Sequence, residues 1–465
     1  MANNASKTDR LFGTDGIRGT PGEYPLTDGM IYKIGSSIAK VILYKRAHEG
    51  TPSVVIGKDT RLSGERIETI LYDAITKHGV DVLLTGIMTT PGLSFLVRDC
   101  HANMGMMISA SHNKPSDNGI KFFNANGHKL FPEEERWIED IIFGTIIHSN
   151  DFTPQRKGSV TELTQVSERY LEFLKSSAQG ISLKGMRIAI DCCWGSTSIF
   201  AKRLFEQLGA QVCPIHDLPQ GEHINMGGTM NPHLLKDIVV EDESDVGFAF
   251  DGDGDRATVI DGHGNILDGD YILAIIALHL LKQNKLAHNS IAVTVMSNYG
   301  LKAALEENAG KLIITEVGDK HVLEALIKNN LTIGGEQSGH VIFLDYLPTP
   351  DGMLTALQVL KVMQEEKRSL AELAHCMTKY PQILINVRVR EKKPFDEMLS
   401  VCQKLQDYNE QLRGTGRILL RYSGTEALAR IMVEGKDKEQ IEAIAQSLAD
   451  LIKEEIGLTE EEAVA

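Results

Sequence analysis

The sequence predicts an α/β protein built in several domains and closing on a smaller α+β domain. Short apolar runs alternate with helical patterns up to about Tyr380, the mark of layered strand–helix–strand units. The style then changes to alternating strands and a long amphipathic helix. A length of 465 residues, at ~150 residues per domain, suffices for about three domains and for several cores without disulfide or metal staples.

SVVIGKD and VDVLLTG read as strands, each ending in Gly or Asp. Between them GERIETILYDAITKHG sets Ile67, Ile70, Leu71 and Ile75 at helical spacing and closes on Gly79. NMGMMISAS is a further strand running into a polar loop. The stretch from about 146 to 160, IIHSNDFTPQRKGSV, breaks the pattern and reads as a linker. A second unit follows: MRIAID, a helical segment around Ser198 to Leu208, the strand QVCPI, then DVGFAF and ATVID on either side of DGDGDR. A third runs from a helix at Tyr271 to Leu281 through IAVTVMSN and KLIITEVGD to LTIGGEQSGHVIFL. Beyond Tyr380 come the strand PQILINVRVRE, a helix, GRILLRYS, the apolar run ARIMVEG and the last helix. The tail GLTEEEAVA is expected to fray. No short period marks a solenoid.

The formal charge of −15, from 48 Lys+Arg and 63 Asp+Glu, excludes a broad nucleic-acid surface. If the substrate is an anion, positive groups must be concentrated locally against that field. Cys100, Cys192, Cys193, Cys213, Cys376 and Cys402 form no CxxC and read as reduced thiols. MANNASKTDRLFG lacks the apolar core of a signal peptide, and the apolar run Tyr271 to Leu281 falls short of the ~20 residues that span a bilayer. A soluble cytoplasmic protein with no membrane or nucleic-acid partner is expected.

DGDGDR, Asp251 to Arg256, carries the strongest signal. Asp251, Asp253 and Asp255 can face one centre if the backbone wraps around it, and Gly252 and Gly254 permit the positive-φ turns of such a wrap. Hard oxygen ligands suit Mg²⁺. An EF-hand would need Gly and Glu where Arg256 and Gly262 stand. A solvated acidic turn is the plain alternative; Arg256 beside the carboxylates favours phosphate handling. SASHN, Ser109 to Asn113, ends an apolar strand, where α/β folds put reactive groups. A serine hydroxyl is a weak nucleophile, but beside a divalent cation it can carry a phosphoryl group. Hydroxyls and His112 satisfying a turn is the competing reading.

RYSGTE, Arg421 to Glu426, offers hydroxyls and backbone N–H groups as a phosphate nest, and Arg421 and Arg430 add bidentate charge. Ser423-x-x-Glu426 also fits a helix capping box, and ALARIMVEG reads as helix or strand. In GGEQSGH, Glu336 and Ser338 suit sugar hydroxyls, while His340 is an acid/base group or a satisfied core histidine. FGTDGIRG with Arg18, and DNGIKFF with Lys121, each read alone as a turn with a surface charge.

Taken in this order, the segments resemble the α-D-phosphohexomutase superfamily from FGTDGIRG to RIMVEG, nearly the whole chain. LFGTDGIRG, ISASHN, DNGIKFF, TVMSN and above all GGEQSGH are similar to its branch acting on glucosamine phosphates. Relatives acting on mannose and glucose phosphates usually carry another residue where Gln337 stands. The resemblance implies three related α/β domains, with mixed sheets and flanking helices, and a smaller α+β domain around a central cleft. These would be 1–155 with a phosphoserine loop, 156–262 with a metal loop, 263–378 with a sugar loop and 379–465 with a phosphate loop. It implies Ser111 as the phosphoserine, with Asp251, Asp253 and Asp255 binding one Mg²⁺ together with the phosphate on Ser111. Glu336 and Ser338 would hold sugar hydroxyls. Arg421, Ser423, Gly424, Thr425 and Arg430 would grip the phosphate that is not transferred. Arg18, Lys121, Arg256 and His340 would line the reaction centre.

The implied activity is that of an isomerase, an intramolecular phosphotransferase. It would interconvert glucosamine 6-phosphate and glucosamine 1-phosphate through a 1,6-bisphosphate that turns over within the cleft, with a sugar 1,6-bisphosphate as primer. Lys121 or His340 would shuttle the proton. The product would feed UDP-N-acetylglucosamine and peptidoglycan synthesis, and the family leaves room for a homodimer. Rival readings are the same chemistry on mannose or glucose phosphate, a non-catalytic phosphosugar-binding regulator, and a phosphatase in which water reaches phospho-Ser111. The nucleophile and all three carboxylates speak against the regulator. The sequence departs from the family at several loops. Lys114 intervenes before Pro115, and Asp191-Cys192-Cys193-Trp194-Gly195-Ser196 replaces Asp-Cys-Ala-Asn-Gly-Ala. Tyr422 and Ala427 replace prolines, and Pro350 replaces the Gly before Asp351-Gly352. No catalytic group is lost; the departures bear on loop rigidity.

Overall fold

A computed structural model describes residues 10–45, 50–145, 156–423 and 426–458. The chain divides into two compact units, residues up to 296 with 308–376, and residues 297–307 with 377 onward. In the larger unit the first sheet takes β1 (Ile17–Gly19), β2 (Ser53–Lys58), β3 (Asp81–Ile87), β4 (Met104–Ile108), β5 (Asn118–Asn124) and β6 (Val160–Glu162). Their order is β1-β5-β4-β2-β3-β6, with β2, β3, β4 and β6 parallel and the β5 and β1 edge antiparallel. Every residue of β4 is buried, as an apolar run covered on both faces requires. On one face Val54, Ile56, Met104 and Met106 join Ile34, Ile38, Ile67 and Leu71 from helices Asp28–Lys45 and Gly64–Thr76. Helix Thr90–Asp99 covers the other, where Gly105 lies against Val97.

The second sheet takes β7 (Arg187–Asp191), β8 (Gln211–Ile215), β9 (Val246–Phe250), β10 (Ala257–Asp261) and β11 (Ile266–Leu267), in the order β11-β10-β9-β7-β8. Parallel β8, β7 and β9 give way to the antiparallel β9–β10 pair, whose connection is DGDGDR. The third takes β12 (Ser290–Thr294), β13 (Lys311–Thr315), β14 (Ile333–Gly335) and β15 (Val341–Phe343), ordered β13-β12-β14-β15. Its antiparallel β14–β15 pair carries the Glu336-Gln337-Ser338 turn. Thr89 and Asp351 cap helices Thr90–Asp99 and Gly352–Glu366, accepting from Gly92 N at 3.0 Å and Leu354 N at 3.0 Å.

The smaller unit is an antiparallel sheet of β16 (Gln382–Arg388), β17 (Gly416–Tyr422) and β18 (Leu428–Gly435), ordered β16-β18-β17. Helices Leu399–Gln411 and Lys438–Ile456 bury Val401, Ile444, Leu448 and Ile452 against Val387, Ile431 and Val433. Residues 297–307, including helix Tyr299–Glu307, belong to this unit. Asn298 Nδ2 donates to the Tyr380 carbonyl at 3.1 Å and to Glu434 at 3.2 Å, and Arg417 donates to the Ser297 carbonyl at 2.6 Å.

Three α/β segments with mixed sheets and a small α+β segment are the expected fold class. Some local readings change. ALARIMVEG is a strand, so Ser423-x-x-Glu426 caps no helix. Val160, from the end of the expected linker, begins β6 and pairs with Val82. The rest of that linker to residue 155, and the tail from residue 459, lie outside the described residues. Among the described residues no helix is long and apolar enough to cross a membrane.

Candidate active site

β4 delivers its C-terminal end into the serine loop. Ser111 takes φ +51° and is buried. Its hydroxyl donates to Asp251 Oδ2 at 2.9 Å, and its N–H donates to Ser109 Oγ at 2.9 Å. Arg61 supports the loop from beneath. Its guanidinium pairs with Asp59 at 3.0 Å and donates to the carbonyls of Ser111 at 2.9 Å, Asn113 at 2.8 Å and Asp117 at 2.8 Å, and also to that of Lys114. Asn225 reaches the Ser111 and Asn113 carbonyls as well. His112, next to the serine, is pushed down to about 4 by burial and by Arg256 and Arg18.

The loop between β9 and β10 brings three buried carboxylates together. Asp251, Asp253 and Asp255 each offer an oxygen, all within 4.8 Å of one another. Gly254 takes φ +73°, the turn expected of it. Gly252 does not have positive φ; it is needed for closeness, because a Cβ there would stand 2.9 Å from the Ser111 carbonyl oxygen. Helix starts grip this loop: Thr90 N–H donates to the Asp253 carbonyl at 2.8 Å, the Thr90 hydroxyl to its carboxylate, and Gly352 N–H to the Gly254 carbonyl at 3.0 Å. The departing segment at Asp191 to Ser196 packs beneath it. Ser196 N–H donates to the Gly252 carbonyl at 2.9 Å, and Trp194 stacks on His216 with ring centroids 3.6 Å apart.

Lys121, on β5, enters the carboxylate cluster. Its Nζ lies 2.7 Å from Asp253, 3.0 Å from Asp255 and 3.0 Å from Asp15. Burial disfavours the ammonium, but Asp15, Asp253 and Asp255 overcome it and hold the lysine well above its ordinary value. Burial likewise opposes ionised Asp255, yet Lys121 and His340 pull it well below the usual carboxylate range. At Asp251 burial, Asp255 and Asp253 outweigh the pull of Arg256 and His340 and raise it to about 8. Among the described residues Asp253 Oδ1 is buried without a hydrogen-bond partner. A crowded set of hard oxygens, one orphaned and one pushed towards protonation, suits a divalent cation. Arg18, on β1, ion-pairs with Asp15 and donates to Asn113 Oδ1 at 3.2 Å.

His340 joins the second and third sheets. Its ring meets Glu336 Oε2 through Nδ1 at 2.9 Å and Asp255 Oδ1 through Nε2 at 2.9 Å. Burial opposes its charge, but Asp255, with hydrogen bonds to both carboxylates, raises it to about 9. Both ring nitrogens then donate, so Arg256 Nε at 3.0 Å is a neighbouring cation and not a donor to the ring. Glu336 also accepts from Gly318 N–H at 2.9 Å, while Gln337 turns away to donate to Asp270 at 3.1 Å and Ser338 is exposed at the turn.

Hydrogen bonds and ion pairs thus link Ser111, the three aspartates, Lys121, Arg18, His340 and Glu336, and Arg256 joins them through its N–H, which donates to Asp251 Oδ1 at 3.1 Å. The RYSGTE residues belong to the smaller unit. There Arg421 and Arg430 stand directly opposite each other on β17 and β18, a like-charge pairing that Glu426, 3.3 Å from Arg430, relieves in part and a bound anion would relieve further. Arg430 reaches Ser423 Oγ at 3.4 Å, and Lys392 donates to the Ser423 carbonyl at 2.6 Å. Tyr422 stacks on Phe395 with ring centroids 4.4 Å apart. Gly424 and Thr425 lie outside the described residues. Sequence reading missed Asp59, Arg61, Asn225, Asp15 and Lys129, the last bridging Asp15 at 2.6 Å and Asp319 at 2.7 Å. The Asp59-x-Arg61 pattern at a strand end was the available signal for the first two; Asn225 carries none.

Four family models match in succession. They are phosphoglucomutase/phosphomannomutase alpha/beta/alpha domain I over residues 9–146, domain II over 168–264, domain III over 268–380, and the C-terminal domain over 384–451. A phosphoglucosamine mutase of Syntrophotalea carbinolica is 44% identical, covering 97% of this chain and 99% of its own. Another, of Geobacter metallireducens, is 44% identical over 96% and 99%. A solved phosphoglucomutase/phosphomannomutase family protein from Burkholderia thailandensis has a TM-score of 0.79 at 22% identity, covering 97% of this chain and all of that one. With full-length relatives at this identity and a matching model over each α/β and α+β segment, the chain belongs to the phosphoglucomutase/phosphomannomutase family, on the branch of the phosphoglucosamine mutases.

Proposed function

We propose that this chain interconverts glucosamine 6-phosphate and glucosamine 1-phosphate. The observation that carries the reading is the Ser111 hydroxyl, hydrogen-bonded to one of three clustered buried carboxylates, in a chain 44% identical to phosphoglucosamine mutases. Phospho-Ser111 gives its phosphoryl group to O1 of glucosamine 6-phosphate: the P–Oγ bond breaks as P–O1 forms, O1 loses a proton and Oγ gains one. Lys121 or His340 carries that proton. The 1,6-bisphosphate reorients, its 6-phosphoryl group returns to Ser111, and glucosamine 1-phosphate leaves. Asp251, Asp253 and Asp255, with the phosphate on Ser111, would hold Mg²⁺, which when bound neutralises charge on the transferring oxygens.

Arg18 and Arg256 are assigned to the phosphoryl oxygens, and Glu336 and Ser338 to sugar hydroxyls. Arg421, Ser423, Gly424, Thr425 and Arg430 are assigned to the phosphate that stays; the opposed arginines support this. The division into 1–155, 156–262, 263–378 and 379–465 belongs to the same proposal, β6 and β11 being strands that a sheet takes from the neighbouring segment. So do a cytoplasmic place on the route to UDP-N-acetylglucosamine and peptidoglycan, a sugar 1,6-bisphosphate primer, and a homodimer, read by sedimentation.

The test is ³¹P NMR with Mg²⁺ and a trace of bisphosphate primer, on glucosamine, mannose and glucose 6-phosphates in parallel. Fastest conversion of the glucosamine ester is expected; faster conversion of either other sugar overturns the substrate. Ser111→Ala is expected to lose turnover and phosphate incorporation. Sustained turnover in that variant would sink the phosphoserine.

A further inference from the structure

One side chain outside both motifs stands between the serine loop and the carboxylate loop. Asn225 lies between β8 and helix His233–Glu241, itself at φ +65°. Its amide is fully engaged. Nδ2 donates to the Ser111 carbonyl at 2.7 Å and to the Asn113 carbonyl at 2.9 Å, while Oδ1 accepts from Gly252 N–H at 2.8 Å. This pattern determines which end is nitrogen, since the flipped amide would set its oxygen against two carbonyls and its NH₂ against a donor. The Asn225 N–H donates to the Cys193 carbonyl at 3.2 Å, which anchors the residue on the loop after β7.

Gly252 separates Asp251 from Asp253. One planar group therefore joins the backbone that carries the serine to the backbone that carries the carboxylates. The fit is close: a Cβ at Gly252 would stand 2.9 Å from Asn225 Nδ2 and 2.9 Å from the Ser111 carbonyl oxygen. Arg61 donates to the same two carbonyls, and its remaining side-chain bonds go to Asp59, Lys114 and Asp117. The division of labour follows. Arg61 shapes the serine loop, and Asn225 registers that loop against the carboxylates.

Resting on the mutase reading above, we propose that Asn225 is a positioning residue for phosphoryl transfer, setting the stand-off between Ser111 Oγ and the carboxylates of Asp251, Asp253 and Asp255. Its hydrogen bonds go to the two loops that handle the moving phosphoryl group. Its loss therefore acts on transfer and leaves sugar affinity in place. A small displacement is enough, because misplacing reacting groups by about 1 Å can slow a reaction ~100-fold.

The experiment uses full-length protein loaded with Mg²⁺ and primed with glucosamine 1,6-bisphosphate. Intact-mass and peptide mass spectrometry first locate the phosphoryl group on the wild type. Its absence from Ser111 would sink the mutase reading and this inference together. With it present, rapid-quench measurement compares transfer to glucosamine 6-phosphate in wild type, N225A and N225D. N225A is expected to slow transfer by ~10- to 100-fold with KM unchanged within about twofold. Hydrogen exchange at the Gly252 amide should rise in the metal-free N225A protein while its circular dichroism matches wild type. N225D keeps an acceptor for Gly252 but sets a carboxylate oxygen against two carbonyls, so it should slow transfer at least as much. It decides the matter if N225A does not fold. Transfer at the wild-type rate in a folded variant, or a raised KM at unchanged kcat, overturns the inference alone.

Discussion

Replacing Arg61 with Met measures what one buried cation contributes to the serine loop. The guanidinium and the Asp59 carboxylate are both 0% exposed. Methionine keeps much of the apolar stem but leaves Asp59, among the described residues, with the Ser109 hydroxyl at 2.6 Å and the backbone N–H of position 61 at 2.9 Å. Removing one partner of a buried ion pair costs about 3–5 kcal/mol, because the other charge stays behind. The lost carbonyl bonds add little more. Those at Ser111 and Asn113 keep Asn225, and those at Lys114 and Asp117 lie where water can enter, so their share is about 1 kcal/mol. The total is a large part of the ~5–15 kcal/mol by which a domain is stable. The sign of the pH dependence follows from Asp59. Burial raises it above its ordinary value even with Arg61 and Ser109 opposing, and without Arg61 it rises further. A carboxylate raised in the folded state binds its proton more tightly there than in the unfolded chain. The penalty is therefore largest above the folded-state value and shrinks as pH falls through it. Urea unfolding of R61M at about pH 8 and about pH 5.5 reads both. Adding D59N removes the stranded charge, so it should restore most of the stability without restoring turnover. A loss below ~1 kcal/mol at the higher pH, or one that does not change with pH, would refute this account.

Three further outcomes are expected. Chelation should stop turnover, and in metal-free buffer at about pH 9 D251N should melt above wild type, because burial, Asp255 and Asp253 raise Asp251 to about 8. The gap should close as pH falls below that value and the wild-type carboxyl takes up its proton. Mg²⁺ should reverse the order, stabilising wild type by about 2.7 kcal/mol at a hundredfold excess over Kd. Tyr170→Phe removes the hydroxyl that donates to Asp351 at 2.7 Å and should cost about 1–3 kcal/mol in thermal melts. Burial raises Asp351 to about 6, so that loss should shrink below this pH, where the carboxyl is neutral.

Much of this architecture was legible in the sequence because strands buried on two faces read as unbroken apolar runs. MGMMI and VGFAF are entirely buried, and each leads into a loop already marked by its chemistry. Carboxylates at alternate positions with intervening glycines were readable because a local motif makes the cluster. What stayed hidden is held by distant residues. Asp251 lies 140 positions from Ser111, and Asn225 lies 114. No periodicity or spacing encodes such a meeting; it is made where the loop after β4, the loop after β8 and the β9–β10 connection come together. Gly252 is instructive, since its glycine was expected to serve a turn and instead makes room for a neighbour. The helix-or-strand ambiguity of ALARIMVEG is local in the same way, for an apolar run of that length packs in either form until β16 and β17 pair with it.

The assignment of residues 297–307 to the C-terminal unit bears on modularity. That unit is encoded in two stretches of chain, with the third sheet completed between them. A fragment starting near Met377 would lack the amide of Asn298 that meets Tyr380 and Glu434, as well as the helix Tyr299–Glu307. Exchange of this unit between relatives must therefore carry both stretches together. A single crossover near Met377 would set Asn298 of one parent against Tyr380 and Glu434 of the other, so a graft that also carries residues 297–307 is expected to be the more stable one.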